Sequence, residues 1–276
     1  MNLLTFAAVC LLAADPEPTR LTWTIDGVER EAIVYQPTSQ SDASDATKSG
    51  GATKAAPRPL VFAFHGHGGT MRHAARSFHI QSEWPEAVVV YMQGLPTPGA
   101  ITDPDGKRSG WQKQIGAMED RDLKFFDAVL ATLKKDYKVD ASRIYSTGHS
   151  NGGAFTYQLW AARPGTFAAI APSAAAGLMR FRDKLTPCPC LIFAGRDDPL
   201  VKFAWQESSI KITREVNGCG EESKPWGKPT PGSNNCLIHE STKNAPVVTC
   251  IYDGGHGYLP EAPALIARFF KEHAKR

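Results

Sequence analysis

The chain has 276 residues, a length suited to one α/β domain with a substantial core. Hydrophobic residues make up 42% and charged residues 21%, as in an ordinary soluble globular protein, and the formal net charge is +3. Acids and bases are mixed along the chain, so no concentrated basic face indicates a nucleic-acid partner and no charge excess indicates an acidic one.

The N-terminal residues have the pattern of an export signal. Residues 3–14 form an apolar run, followed by the polar sequence D-P-E-P. No Lys or Arg precedes the run, and Leu12 is larger than the residue expected at that position before Ala14. The run is too short to span a bilayer, so we expect no stable membrane insertion. We predict a signal peptide over residues 1–14 and a secreted protein, periplasmic or extracellular; the alternative is an N-terminal strand or helix packed on the domain.

Strand and helix patterns alternate along the rest of the chain. Residues 38–57 contain no large apolar side chain and are predicted to form a flexible insertion. The alternation indicates βαβ units, and therefore an α/β fold with a mostly parallel sheet flanked by helices, in one domain over residues 20–276. The predicted strands are 22–25, 32–35, 60–64, 87–91, 144–147, 167–172, 191–194 and 247–252, and the predicted helices are 120–137, 154–162 and 262–274.

The strongest local signal is the sequence G-H-S-N-G at residues 148–152. A predicted strand precedes it and a helical pattern follows, which is the strand–turn–helix setting of a nucleophile elbow. In such an elbow the serine lies on a strained turn, so its close neighbours must lack bulky side chains. Gly148 and Gly152 meet that need, and Ser150 is the candidate nucleophile.

A serine nucleophile needs a base to take its proton and an acid to orient that base. The sequence G-R-D-D-P-L-V follows a predicted strand, and its residues alone do not choose between Asp197 and Asp198 as the acid. The candidate base is His256, in the glycine-flanked loop D-G-G-H-G after the last strand. Asp253 is a rival acid, but near neighbours on one loop rarely point at each other with the required geometry.

The loop after the first buried strand has the sequence H-G-H-G-G. In enzymes with a nucleophile elbow this loop donates one backbone N–H to the oxyanion, and the residue after the nucleophile donates the other. We assign these donors to His67 and Asn151. The histidines nearby lack the spacing of a zinc motif, so we expect no metal, and we expect no cofactor.

Trp111 lies in a long polar loop, where a bulky aromatic residue has little reason to contribute to folding. It is a candidate for lining the substrate cleft, and the alternative is an anchor of the loop against the core.

Two cysteines bracket a loop rich in Gly, Pro and Asn. In an exported protein a disulfide between Cys219 and Cys236 would close that loop and contribute about 3 kcal/mol. Cys188, Cys190 and Cys250 lie in apolar surroundings and are expected to be buried thiols.

Six segments together carry a family resemblance. They are V-F-A-F-H-G (61–66), G-W-Q (110–112), V-D-A-S-R-I-Y (139–145), G-H-S-N-G-G (148–153), F-A-A-I-A-P (167–172) and G-G-H (254–256). With them, residues 60–257 resemble the polyhydroxybutyrate depolymerase and feruloyl esterase group, related to carbohydrate esterase family 1. That resemblance implies the α/β-hydrolase fold and a serine esterase.

The resemblance also bears on single residues. The group's pattern Gly-x-x-Asp-x-x-Val selects Asp198 as the acid, and the group supports the Cys219–Cys236 disulfide. Its members usually continue the histidine motif with Thr-Trp-Pro, a tryptophan that lies near the substrate, whereas G-Y-L-P follows His256 here. Tyr258 is therefore the candidate substrate contact, and the acyl or polymer preference stays open.

These observations favour hydrolysis of feruloyl or acetyl esters of plant polysaccharide through an acyl-enzyme. The alternative is a depolymerase of polyhydroxyalkanoate oligomers, although no appended substrate-binding domain is recognisable. A peptidase of the prolyl-oligopeptidase type would need a propeller domain, for which the chain has no room. A non-catalytic carbohydrate-binding module would need no nucleophile, base and acid together. The expected partner is the ester substrate, and the sequence indicates no oligomeric state.

Overall fold

The computed structural model describes residues 17–37, 56–99, 102–227 and 236–275. The predicted signal peptide at 1–14 lies outside these ranges, and so does the predicted insertion at 38–57 apart from residues 56–57. Within these ranges, no helix has both the length and the apolar character needed to cross a membrane.

The described residues form twelve strands, ten of which build one sheet. The strands are β1 (Thr19–Ile25), β2 (Val28–Tyr35), β3 (Arg58–Phe64), β4 (Val88–Met92), β5 (Leu95–Pro96), β6 (Ser109–Gly110), β7 (Val139–His149), β8 (Ala169–Ser173), β9 (Cys190–Gly195), β10 (Lys224–Pro225), β11 (Leu237–His239) and β12 (Val247–Tyr252). Their order in the main sheet is β1-β2-β4-β3-β7-β8-β9-β12-β11-β10, and β5 pairs with β6 separately.

The centre of the main sheet is parallel and its two edges are antiparallel. Strands β4, β3, β7, β8, β9 and β12 pair in parallel. The hairpin of β1 and β2 joins one edge antiparallel, and β11 and β10 extend the other edge antiparallel. The predicted mostly parallel sheet is therefore confirmed. The turn that joins β1 and β2 has Asp26 and Gly27 both at positive φ.

Helices cover both faces of the sheet, so its parallel strands are apolar on both sides. Phe62 and Phe64 of β3 belong to one core cluster, while Val61 and Ala63 belong to the other. The helices are α1 (Met71–Phe78), α2 (Ile80–Glu83), α3 (Arg121–Asp136), α4 (Asn151–Ala162), α5 (Phe203–Asn217) and α6 (Ala262–Lys271), with 3₁₀ segments at Ala117–Asp120 and Leu178–Lys184. The first cluster packs against α3 and α4, and the second against α1 and α6.

The carboxyl ends of the parallel strands meet at one edge of the sheet, which runs across the ends of the strands and not along an outermost strand. Sites in this architecture usually form there. Strand β3 leads directly into His65, and β7 ends immediately before Ser150. Asp198 follows the end of β9, and His256 follows the end of β12. The topology thus brings residues from distant parts of the sequence to one edge.

The predicted Cys219–Cys236 disulfide is wrong. The structure joins Cys236 to Cys250, because the antiparallel register of β11 and β12 places these two cysteines across from each other. Cys250 is therefore not the free thiol expected from the sequence. The prediction that Cys188 and Cys190 are buried thiols is confirmed, and Cys219 is a half-buried free thiol.

Candidate active site

Ser150 lies between the end of β7 and the first residue of α4, with φ 57° and ψ −119°. Positive φ is strained for a residue with a Cβ, so the surroundings must enforce it. The N–H of Ser150 donates to the carbonyl oxygen of Ser173 at 2.8 Å. A Cβ on Gly148 would lie 2.5 Å from the carbonyl carbon of Gly152, and one on Gly152 would overlap the carbonyl oxygen of Phe64. The glycines of the motif are therefore required by close backbone packing.

Three side chains form one line of hydrogen bonds at this edge. His256 Nε2 lies 2.7 Å from Ser150 Oγ, and His256 Nδ1 lies 2.7 Å from Asp198 Oδ2. In such a line the imidazole can take the hydroxyl proton while the carboxylate holds its tautomer and orientation.

The Asp198 carboxylate is fully buried and has a donor for each oxygen. Its Oδ1 accepts from the backbone N–H groups of Leu200 at 2.9 Å and Val201 at 2.8 Å. Its Oδ2 also accepts from Gln206 Nε2 at 3.2 Å. Buried polar groups need hydrogen-bond partners, and these three donors fix the carboxylate plane toward His256.

The two rival acids lie elsewhere. Asp197 is exposed. The side chain of Asp253 is 84% exposed and pairs with Arg196 at 3.3 Å. Of the three candidate acids, the structure brings only Asp198 to the histidine.

His149 supports the loop that carries His256. Its Nε2 lies 3.1 Å from the carbonyl oxygen of His256, and its Nδ1 lies 3.3 Å from Ser173 Oγ. Burial lowers the pKa of His149 to about 4. The ring is therefore neutral near pH 7, and its Nε2–H donates to the His256 carbonyl.

The two predicted oxyanion donors lie on the segments that flank Ser150. A Cβ on Gly66 would lie 3.5 Å from the Cβ of Ser150, which places the β3–α1 loop directly against the elbow. The N–H of His67 has no acceptor among the described residues. Asn151 is the first residue of α4, where an N–H has no partner within the helix. Both amides therefore keep their donor capacity for a ligand.

The His67 side chain is held in place by its neighbours. Its Nε2 lies 3.2 Å from Asp103 Oδ2. A Cβ on Gly99 or Gly110 would lie within 2.8 Å of a ring nitrogen, so the imidazole fits between two glycines. The backbone N–H of Arg108 donates to Asp103 and lowers the pKa of that carboxyl below its usual range. These contacts fix the position of His67, the residue predicted to donate the first oxyanion N–H.

The prediction that Trp111 lines the cleft is wrong, because its side chain is fully buried. The ring stacks on Phe155 with 5.2 Å between centroids, and Nε1 donates to the carbonyl oxygen of His65 at 2.9 Å. The Asn151 side chain accepts from the Trp111 N–H at 2.7 Å and donates to its carbonyl oxygen at 3.2 Å. Trp111 therefore anchors its loop against the core and beside the elbow.

A cleft of about 1200 Å³ opens over Ser150 and His256. Tyr258 lies in its wall, stacked on Phe78 with 4.3 Å between ring centroids. Trp205 also lines the cleft, although 49% of its surface is exposed. Among the described residues, no group of three or more His, Cys, Asp or Glu side chains is arranged to hold a metal ion.

Three residues around the site were missed from the sequence. Gln206 is a buried polar residue of α5. Once the helix is known, a buried glutamine on its inner face indicates a hydrogen-bonding role. His149 occupies a variable position of the serine motif, and nothing in the sequence around Asp103 indicates its contact with His67.

Solved structures share this architecture. An acetyl xylan esterase from Aspergillus awamori superposes with a TM-score of 0.64 at 14% identity, covering 92% of this chain and 99% of that chain. At this identity the likeness shows the fold alone. The chain has the α/β-hydrolase fold. The fold expected from the sequence is thereby confirmed.

Curated relatives of this chain include esterases. Feruloyl esterase C of Emericella nidulans is 27% identical over 205 residues, covering 74% of this chain and 72% of that enzyme. Feruloyl esterase D of Neurospora crassa is 31% identical over 168 residues, covering 59% of this chain and 51% of that enzyme. The expected resemblance to feruloyl esterases is confirmed. Residues 106–206, which include Ser150 and Asp198, also match the prolyl oligopeptidase family.

Proposed function

We propose that this α/β-hydrolase is a serine carboxylic-ester hydrolase that acts through an acyl-enzyme. The observation that carries the proposal is the hydrogen-bonded line from Ser150 through His256 to Asp198, with both bonds at 2.7 Å. Ser150 is the nucleophile, His256 the general base and then acid, and Asp198 the residue that orients the imidazole.

The reaction proceeds in two halves. Ser150 Oγ attacks the ester carbonyl carbon as His256 Nε2 takes its proton, and the carbonyl oxygen becomes an oxyanion bound by the N–H groups of His67 and Asn151. The C–O bond to the alcohol then breaks, His256 returns the proton to the departing alcohol, and an acyl-Ser150 remains. Water attacks that acyl carbon, gives a proton to His256, and the acid product leaves as Ser150 regains its proton.

The substrate class follows from the relatives and from the cleft. Two relatives are feruloyl esterases and a structural neighbour is an acetyl xylan esterase, which supports feruloyl or acetyl esters of plant polysaccharide. Trp205 and Met179, exposed by 49% and 57%, line the cleft. An exposed indole offers a face on which a sugar or phenolic ring stacks. Trp205 and Tyr258 are the substrate contacts of this proposal.

The protein is secreted in this proposal. A disulfide such as Cys236–Cys250 persists in oxidising compartments and is rare in the cytosol, which supports the export signal expected at the N-terminus.

Initial rates on methyl ferulate, acetylated xylan and a polyhydroxybutyrate oligomer, measured side by side, test the proposal. We expect turnover of the first two, and Ser150→Ala should lower kcat by about six orders of magnitude. Faster turnover of the oligomer would favour the depolymerase alternative. Hydrolysis by Ser150→Ala at the wild-type rate would contradict the mechanism.

The match to the prolyl oligopeptidase family over residues 106–206 favours a serine peptidase as the second candidate. The two functions share the nucleophile but differ in the leaving group, which is an alcohol for the esterase and an amine for the peptidase. Paired 4-nitrophenyl ester and 4-nitroanilide substrates with the same acyl group separate them. We expect hydrolysis of the ester, and comparable kcat/KM on the anilide would favour the peptidase.

A further inference from the structure

The cleft over Ser150 has charges of one sign. Its described lining includes the cations Arg108, Lys113 and Arg180 and no Asp or Glu. All three cations are exposed, and none forms an ion pair with another described residue. The chain as a whole carries a formal net charge of only +3, with acids and bases mixed, so this excess is local to the cleft.

The three cations come from three segments with fixed backbones. The Arg108 side chain packs over the β3–α1 loop, which carries His67, since a Cβ on Gly68 would lie 3.3 Å from Arg108 Cδ. Lys113 follows Gln112, whose N–H donates to buried Asp122 at 2.8 Å. Arg180 lies in the 3₁₀ segment after β8, which other residues anchor in the core.

Two buried carboxylates near the site, Asp198 and Asp103, have other partners than these cations. Asp198 is fully buried and directed at His256. Asp103 binds His67 and the backbone N–H groups of Lys107 and Arg108. Neither lines the cleft among the described residues.

An unpaired cluster of this kind attracts anions. The Debye length at physiological ionic strength is about 8 Å, so each of these charges acts on a ligand carboxylate that lies within about that distance of it. The low-dielectric walls of a cleft concentrate such a field and raise the local concentration of an oppositely charged substrate. A neutral ester gains nothing from it.

We infer that the substrate carries a carboxylate close to its scissile ester, which Arg108, Lys113 and Arg180 bind. The inference rests on the proposed function and narrows its substrate class. Such a carboxylate comes from one of two sources. One is a uronic acid residue of an acylated polysaccharide, and the other is the free acid end of a short hydroxyalkanoate oligomer.

Two substrate pairs test the inference and distinguish the sources. The first is acetylated glucuronoxylan before and after chemical reduction of its carboxyl groups to alcohols. The second is a 3-hydroxybutyrate dimer as the free acid and as its terminal amide. For the true source, we expect kcat/KM to be roughly tenfold higher for the acid form at low salt and to converge with the neutral form in 0.5 M NaCl as screening increases, at about 4 Å Debye length.

The triple variant Arg108→Gln, Lys113→Gln, Arg180→Gln should lose this roughly tenfold preference and its salt dependence. Its kcat/KM on neutral 4-nitrophenyl acetate, measured in parallel, reports correct folding, and the preference is taken as the ratio of acid to neutral substrate within the same variant. The matched control is Lys135→Gln. Lys135 lies in the last turn of α3, just before the start of β7, whereas Ser150 follows the end of that strand. It should keep the preference.

The outcomes separate this inference from the proposed function. Equal kcat/KM on the acid and neutral members of both pairs, with turnover of 4-nitrophenyl acetate, would overturn the inference and leave the esterase intact. A preference that survives in the triple variant would also overturn it. No turnover of any ester would contradict the proposed function itself.

Discussion

Replacing Asp198 by asparagine changes one atom and reverses one hydrogen bond. Two backbone N–H groups, of Leu200 and Val201, donate to Oδ1 at 2.9 and 2.8 Å. The amide oxygen of asparagine must occupy that position, because an NH₂ group there would face two donors. The NH₂ group is then directed at His256 Nδ1, which must accept rather than donate.

This reversal forces the wrong tautomer on the imidazole. With Nδ1 accepting, the proton of neutral His256 lies on Nε2, which is 2.7 Å from Ser150 Oγ and no longer accepts its proton. We expect kcat to fall by about four orders of magnitude. The NH₂ group would also face the donor Gln206 Nε2, so the variant should lose about 1–3 kcal/mol of unfolding free energy.

The assay is steady-state hydrolysis of 4-nitrophenyl acetate, with urea unfolding as the check on folding. Asp197→Asn is the matched control, since its side chain is exposed and next in sequence. It should retain wild-type kcat. A kcat of Asp198→Asn within tenfold of the wild type, or a larger loss in Asp197→Asn, would contradict the role of Asp198.

Three further changes probe the supporting structure. Gly152→Ala should lower the unfolding free energy by about 3 kcal/mol or more in urea titrations, because the new Cβ overlaps the carbonyl oxygen of Phe64; wild-type stability would contradict this packing. Reducing the Cys236–Cys250 disulfide should cost about 3 kcal/mol in the same assay, and no change in the midpoint would count against its contribution. Because burial lowers the pKa of His149 to about 4, the unfolded chain takes up a proton as pH falls below about 6.5 and stability is lost toward pH 4. By pH 5 this residue should account for about 2 kcal/mol, and His149→Asn should show a shallower decline than the wild type; an equal decline would contradict the assignment.

Ser150 and His256 could be located from the sequence because glycines surround both. Close backbone packing at the elbow leaves no room for side chains at Gly148 and Gly152, so the G-x-S-x-G pattern predicts the tight turn that holds Ser150. The choice between Asp197 and Asp198 is different. Asp198 is directed inward because its Oδ1 accepts from the N–H groups of the residues that follow. The sequence pattern of this turn does not exclude Asp197 as the acid.

Helix α5 was not predicted from the sequence, because four of the six residues that it buries are polar. Gln206, Ser209, Thr213 and Asn217 are buried beside Ile210 and Ile212, so the apolar periodicity of the helix is weak. Gln206 binds Asp198, and Asn217 binds both backbone groups of Cys188. These partners lie outside α5, and a helical pattern does not reveal them.

The two wrong residue predictions have a common cause. Trp111 lies in a polar stretch of sequence, yet its ring enters the core through contacts with Phe155 and His65. The pairing of Cys236 with Cys250 depends on the register of two antiparallel strands. In both cases the decisive contact joins elements whose relative placement is a tertiary property.

Labelling with a fluorophosphonate, followed by peptide mapping, tests whether Ser150 is the nucleophile, because the reagent requires a serine activated by a base. We expect one adduct on Ser150 of the native protein, and loss of that adduct in Ser150→Ala and in His256→Ala. An adduct on another serine, or no adduct on protein that hydrolyses esters, would contradict this assignment.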